Sequence, residues 1–194
     1  MKTYSITVTF IEPLLGTAPM NKEIYSEFIA SKGEGNGDEL ETLDIPAEIQ
    51  KGTTGFHRVD GKPILYDYMI KGFFKDACGM LRRDPASLSY RATAYKKIID
   101  GLLFVKPRRL PLQVRGEVGI LERPLRAQTA QGERIALSRS EMLMEGSSLT
   151  FTVSVISGVS DGLLKEWLDY GALRGLGQWR NGGYGAFTYT MAEA

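Results

Sequence analysis

The chain has 194 residues, 43% of them hydrophobic and 24% charged, with a formal net charge of +1. That composition is ordinary for a soluble globular protein of one domain or a compact pair. No apolar run approaches the ~20 residues that span a bilayer. The start, MKTYSITVTFIEP, alternates polar and apolar residues where a signal peptide would have a continuous apolar core, and Cys78, the single cysteine, excludes an internal disulfide or a cysteine-based zinc site.

Taken in chain order, KTYSITVTFIEPLL (2–15) alternates from Tyr4 through Ile11 and predicts a half-buried strand ending at Glu12-Pro13. Residues 16–60 are the least regular. NKEIYSEFIASKG predicts a short helix closed by Gly33, with Ile24, Phe28 and Ile29 on one face, and KGEGNGDELETLD reads as an exposed acidic loop. So long an irregular stretch points to a functional or partner-facing insertion. GKPILYDYMIKGFFKDACGMLRRD (61–84) predicts a helix with Pro63 in its first turn. Tyr66, Met69, Ile70, Phe73, Ala77, Met80 and Leu81 recur on one face of it, and Asp67, Lys71 and Lys75 step along the other. Cys78 reads as a small buried hydrophobe in that helix.

Residues 85–100 read as a loop with a turn or two of helix. GLLFVKP (101–107) and LQVRGEVGILERP (112–124) are strand-like, and LRAQTAQGERIALSRS (125–140) predicts a long hairpin around Gln131-Gly132. SSLTFTVSVIS (147–157) alternates strictly through Leu149, Phe151, Val153 and Val155. SDGLLKEWLDYGALRG (160–175) opens on Ser160 or Asp161 as N-cap, sets Leu164, Trp167, Leu168 and Gly171 on one face, and stops at Gly175. YGAFTYTM (184–191) is a closing strand. The coarse order is β-α-β-β-α-β with decoration, an α+β, ferredoxin-like (RRM-like) pattern, and it carries no function by itself.

Charge is segregated along the chain. Residues 1–60 carry 5 basic and 10 acidic side chains, 61–140 carry 16 and 7, and 141–194 carry 3 and 6. The middle third is therefore a candidate polyanion-binding surface, unless the acidic and basic segments neutralise each other across the fold.

The stretch GLGQWRNGGYG (175–185) holds five glycines. It follows a helix and opens a strand, so it is neither a dinucleotide fingerprint nor a P-loop, both of which open a helix. Its spacing is Gly175-Leu176-Gly177, five residues, Gly183-Tyr184-Gly185. This resembles the G-h-G-x5-G-h-G loop (h, hydrophobic) of the RAMP superfamily, the repeat-associated RNA-binding proteins of CRISPR systems. FHRVDGKPILYDYMIKGFFKDACGML (56–81) is similar to that superfamily's loop and first helix, though Tyr66-Asp67-Tyr68 replaces the usual Ser-rich, Gly-containing helix start. GSSLTFTVSVIS resembles the strand before its second helix, while residues 12–55 and 84–146 have no specific match. The chain resembles short stand-alone relatives in phages and prophages more than a full CRISPR subunit.

The resemblance implies one ferredoxin-like domain over 1–194, with an N-terminal insertion over about 12–60 and a thumb-like basic hairpin insertion over about 107–146. It implies binding to single-stranded RNA, or secondarily single-stranded DNA, in a bacterial or phage-infected cytoplasm. No cofactor is expected, and the partners would be a second copy or CRISPR-type effector proteins.

Candidate contacts are Arg108, Arg109, Arg115, Arg123, Arg126, Arg134 and Arg139, whose planar forks suit phosphates and bases, with Gln128, Thr129 and Gln131 as polar contacts. In the glycine stretch, Gly177 and Gly183 leave backbone N–H groups accessible, Arg180 suits a phosphate, and Trp179 either stacks on a base or plugs the core.

Two enzymatic readings stand beside this one. His57, the single histidine, lies ahead of the first helix beside Arg58 and is a candidate general acid or base for metal-free RNA cleavage. Asp38, Asp44 and Asp60 are scattered acids, read first as a solvated loop and second as ligands of a divalent ion. A further reading is a RAMP-subunit mimic that blocks a host defence complex.

Overall fold

The structure, a computed structural model, describes residues 1–20, 53–129 and 132–194; for 125–129 and 132–137 it describes the backbone alone. In chain order the elements are β1 (Lys2–Phe10), β2 (Leu14–Leu15), β3 (Ala18–Pro19), β4 (Thr53–Gly55), β5 (His57–Val59), β6 (Lys62–Tyr66) and α1 (Asp67–Leu81). A 3-10 turn (Leu88–Arg91), α2 (Tyr95–Leu102), β7 (Leu103–Lys106), β8 (Arg109–Gln113), β9 (Gly119–Thr129) and β10 (Gly132–Leu143) follow. β11 (Ser148–Val155), α3 (Asp161–Arg174), a second 3-10 turn (Arg180–Gly182) and β12 (Phe187–Glu193) complete the described residues.

The larger sheet is antiparallel and runs β12-β1-β11-β8-β6-β5, with β7 also pairing β11. Alternation sets its register. Tyr4, Ile6 and Val8 stand opposite Val153, Phe151 and Leu149, all buried, while Thr3, Ser5, Thr7 and Thr9 face Ser154, Thr152, Thr150 and Ser148 on the other side. A slip of one residue would put every apolar side chain in water, at a cost of roughly 1.5–3 kcal/mol for each.

α1 and α3 cover the apolar face. Phe73 and Phe74 of α1 meet Phe187 and Trp167 at 6.0 and 5.8 Å between ring centres. The helices approach so closely at Gly171 that a Cβ there would lie 2.0 Å from the Phe73 ring. Ser160 caps α3, its hydroxyl accepting from the Leu163 N–H, and Gly175 ends the helix at φ +83°, as the sequence predicts.

Three expectations change around α1. The helix starts at Asp67, and Lys62–Tyr66 is strand β6. Pro63 therefore lies in a strand, paired with Arg58, because KPILY finds partners on both sides, β5 and β8. Lys71 and Lys75 turn from their own helix to the end of α2: Lys75 pairs with the Asp100 carboxylate at 2.5 Å and Lys71 donates to its carbonyl at 3.1 Å. Met80, predicted on the buried face, is 41% exposed.

The smaller sheet runs β2-β10-β4-β3, with β9 on β10. The ends of the irregular segment thus become short strands on the hairpin's root. The predicted hairpin is present, with Thr129 opposite Gly132. The helix closed by Gly33 and the acidic loop lie outside the described residues. A buried ion pair stitches this sheet to the larger one: Glu141 of β10 accepts from Arg58 at 2.6 and 3.0 Å and from the Phe56 N–H at 2.8 Å.

Candidate functional site

The glycine stretch leaves α3 as a loop closed at its neck. The Leu176 N–H donates to Gly185 O at 2.9 Å, and the Gly185 N–H donates to Pro13 O at 2.9 Å. A Cβ on Gly185 would lie 2.0 Å from the Leu176 carbonyl oxygen, and one on Gly177 would lie 2.7 Å from the Leu15 carbonyl oxygen. These glycines serve backbone-to-backbone packing. The Gly177 backbone thus packs against β2, whereas Gly183, at φ +89°, has open space around it.

Between the paired glycines the loop is fastened by side chains. Gln178 Nε2 donates to Gly16 O at 2.6 Å and lies 2.5 and 2.6 Å from the hydroxyl oxygens of Thr54 and Ser140. One amide thereby ties the loop to β4, β10 and the turn after β2. Arg180, read from sequence as a phosphate contact, is paired with Asp76 of α1 at 2.7 Å. Arg174 hydrogen-bonds Asn181.

Trp179 does not plug the core. It takes a left-handed conformation, φ +52°, and stays 41% exposed, while Trp167 fills the interior at 1%. Its indole stacks on Tyr184, with 4.9 Å between ring centres and 15° between planes. The Arg123 guanidinium sits 3.9 Å from the indole centre. Because Tyr184 already occupies one face, sterics put Arg123 over the other. Gly182 lets the ring lie down, since a Cβ there would come within 2.9 Å of indole Cε2. The glycine stretch and the root of the basic hairpin, separate on paper, therefore form a single three-layer stack. Sequence reasoning missed Tyr184 as a member of it and Gln178 as the loop's tether; the hydrophobic position between Gly183 and Gly185 was the available signal for Tyr184.

The remaining basic candidates divide. Arg139 is ion-paired with Glu122, its cross-strand neighbour. Arg123 Nε and Arg139 Nε are buried and have no hydrogen-bond partner among the described residues. Arg115 is exposed and packs over Gly146; Arg108 and Arg109 are exposed beside the start of α1, where Arg108 O accepts from the Asp67 N–H at 2.9 Å. The side chains of Arg126, Gln128, Thr129 and Arg134, and all of Gln131, lie outside the described residues, although the backbone register sets Arg126 opposite Ile135 and Arg134 opposite Ala127.

His57 is not in a loop. It is 4% exposed within β5, edge-on to Tyr66 at 4.8 Å between ring centres. Burial pushes its pKa down to about 4, so the imidazole is neutral near pH 7 and shut off from a substrate phosphodiester. Asp60 lies in the turn between β5 and β6, and Asp38 and Asp44 lie outside the described residues. Among the described residues no cluster of three or more His, Cys, Asp or Glu is placed to hold a metal ion, and no helix is long and apolar enough to cross a membrane.

No protein-family model and no curated protein matches this sequence. Among solved structures, 98% of the chain is similar to a chain of a Type IV-B CRISPR complex, at TM-score 0.48 and 11% identity, covering 90% of that chain. It is also similar, over 99% of its length, to a chain in a cryo-EM structure of the Type III-B Cmr-beta bound to cognate target RNA. There the TM-score is 0.50 and the identity 8%, and this chain spans 61% of the length of that one. The Cmr-beta chain therefore shares this protein's fold.

Proposed function

We propose that this protein is a non-catalytic, RAMP-like binder of single-stranded nucleic acid, RNA before DNA. The observation that carries the proposal is the Arg123–Trp179–Tyr184 stack, an aromatic platform under a planar cation at the root of a basic hairpin. With both indole faces covered, a base would stack on the outer face of the Arg123 guanidinium, which also adds charge against phosphate. A ferredoxin-like reading is supported by the order β12-β1-β11-β7, with α1 ahead of β7 and α3 between β11 and β12. The likeness in fold to a chain of an RNA-bound CRISPR complex agrees with it.

The test is a fluorescence-anisotropy titration of labelled single-stranded RNA and matching DNA over a range of salt concentrations. The expected result is saturable binding, tighter for RNA, with log K falling linearly in log salt. Absence of saturable binding to either strand at low salt would overturn the reading.

A further inference from the structure

A second site lies at the far end of α3 from the glycine loop. The 3-10 turn, the start of α2 and the turn before α3 line a half-open cleft of about 310 Å³. Its walls are apolar, from Ile98, Val159, Leu163 and the edge of Trp167, and Thr93 and Arg91 stand at its lip. The wall is built in advance of any ligand. Glu166 accepts hydrogen bonds from the Ser87 and Ser89 hydroxyls and from the Leu88 and Ser89 N–H groups, all within 3.1 Å. The Trp167 indole N–H donates to Ser89 Oγ at 2.9 Å.

Two further observations mark it as more than a packing fault. Ala94, between Thr93 and Tyr95, holds a left-handed conformation at φ +51°, which costs a non-glycine residue and turns both neighbours into the lining. Arg91 of the lining is exposed, as are Lys96 and Lys97, which lie in sequence between the lining residues Tyr95 and Ile98, and none of the three has a carboxylate partner among the described residues. An apolar pocket under an unpaired arginine selects an apolar body that carries an anion. The volume lies at the lower end of the range for small-molecule sites, and so admits one such unit.

The geometry points to a mononucleotide pocket, with the base against Trp167, Ile98 and Leu163 and the phosphate on Arg91. The nucleotide is either free or the 5′-terminal residue of a strand. This site shares no residue with the Arg123–Trp179–Tyr184 stack, so each stands or falls alone.

The chain has two tryptophans, so in a Trp179→Phe variant the emission reports on Trp167. Titration with adenosine 5′-monophosphate to millimolar concentration is expected to change that emission saturably. Adenosine should bind at least about tenfold more weakly, and Arg91→Ala should weaken the monophosphate by a similar factor. Competition then separates the two sources: displacement by a 5′-phosphorylated strand but not its 5′-hydroxyl counterpart supports the terminal nucleotide, and no displacement supports the free one. No saturable change with the monophosphate, or binding undiminished by Arg91→Ala, would overturn the proposal. So would binding of an acidic amphipathic peptide in place of the nucleotide. An Arg123→Ala variant should leave the monophosphate titration unchanged; its loss there would move the nucleotide to the glycine loop and overturn the pocket.

Discussion

Arg123, at the root of the β9–β10 hairpin, lays its guanidinium 3.9 Å from the ring centre of Trp179 in the glycine loop. The contact joins the most basic part of the chain to its most exposed indole and makes both one surface. Trp179→Ala should weaken single-strand binding by about 1–3 kcal/mol, the usual worth of one stacked base, because the guanidinium on which the base stacks loses its support. Arg123→Ala should lower the slope of log K against log salt by about 0.7, the value of one phosphate contact on a single strand. Anisotropy titrations at several salt concentrations check both.

The glycines of the loop should separate into two kinds. Gly185→Ala puts a Cβ 2.0 Å from the Leu176 carbonyl oxygen at a φ of +73°, so urea unfolding should register a loss of about 3 kcal/mol. Gly182→Ala meets only the Trp179 ring, at 2.9 Å. It should leave global stability within about 1 kcal/mol, change the near-UV circular dichroism of the indole and weaken strand binding.

His57 should make the protein sensitive to mild acid. Its folded pKa of about 4 lies below its ordinary 6.5, so between those values the unfolded chain binds more protons. The stability is full above pH 6.5 and declines as pH falls through that window, by about 2 kcal/mol at pH 5 and roughly 3 at pH 4. Glu166 is held below its ordinary 4.5: burial raises it, but hydrogen bonds from Ser89, Ser87 and two backbone N–H groups outweigh that. The Glu166 contribution is therefore lost only at lower pH. Denaturant unfolding at pH 7.5 and pH 5 should lose the difference in a His57→Gln variant; an unchanged difference contradicts the assignment.

The Arg58–Glu141 pair should be worth far more broken singly than replaced jointly. Arg58→Met leaves a buried carboxylate with one backbone donor, at a cost of about 3–5 kcal/mol. Adding Glu141→Gln removes the charge and keeps an acceptor for the Phe56 N–H, so the double variant should recover part of that loss. A double-mutant cycle of unfolding free energies measures it.

How much of this was legible in the sequence depended on the range of the interactions. β11 and α3 follow from strict alternation and from the Leu164–Trp167–Leu168–Gly171 spacing, both local signals, and the structure buries those residues as expected. β6 was read into the helix because KPILY runs into α1 without a turn residue between them, and only its pairing with β5 and β8 makes it a strand. β2, β3 and β4 are two or three residues long, too short for any period, and exist through pairings that converge on β10. The Arg123–Trp179 stack was hidden for the same reason. Nothing local relates the two positions, so the sequence leaves Trp179 open between a base and the core, and reads Arg180, which spends its charge on Asp76, as a ligand contact.

The claim that single strands bind at Trp179 is tested most directly by tryptophan emission. A 5′-hydroxyl single-stranded RNA, added to the wild-type protein, should quench the exposed Trp179 saturably, and the same strand should leave Trp179→Phe, whose remaining indole is buried, unchanged. Equal quenching in both proteins, or none in the wild type under conditions where anisotropy reports binding, would contradict it.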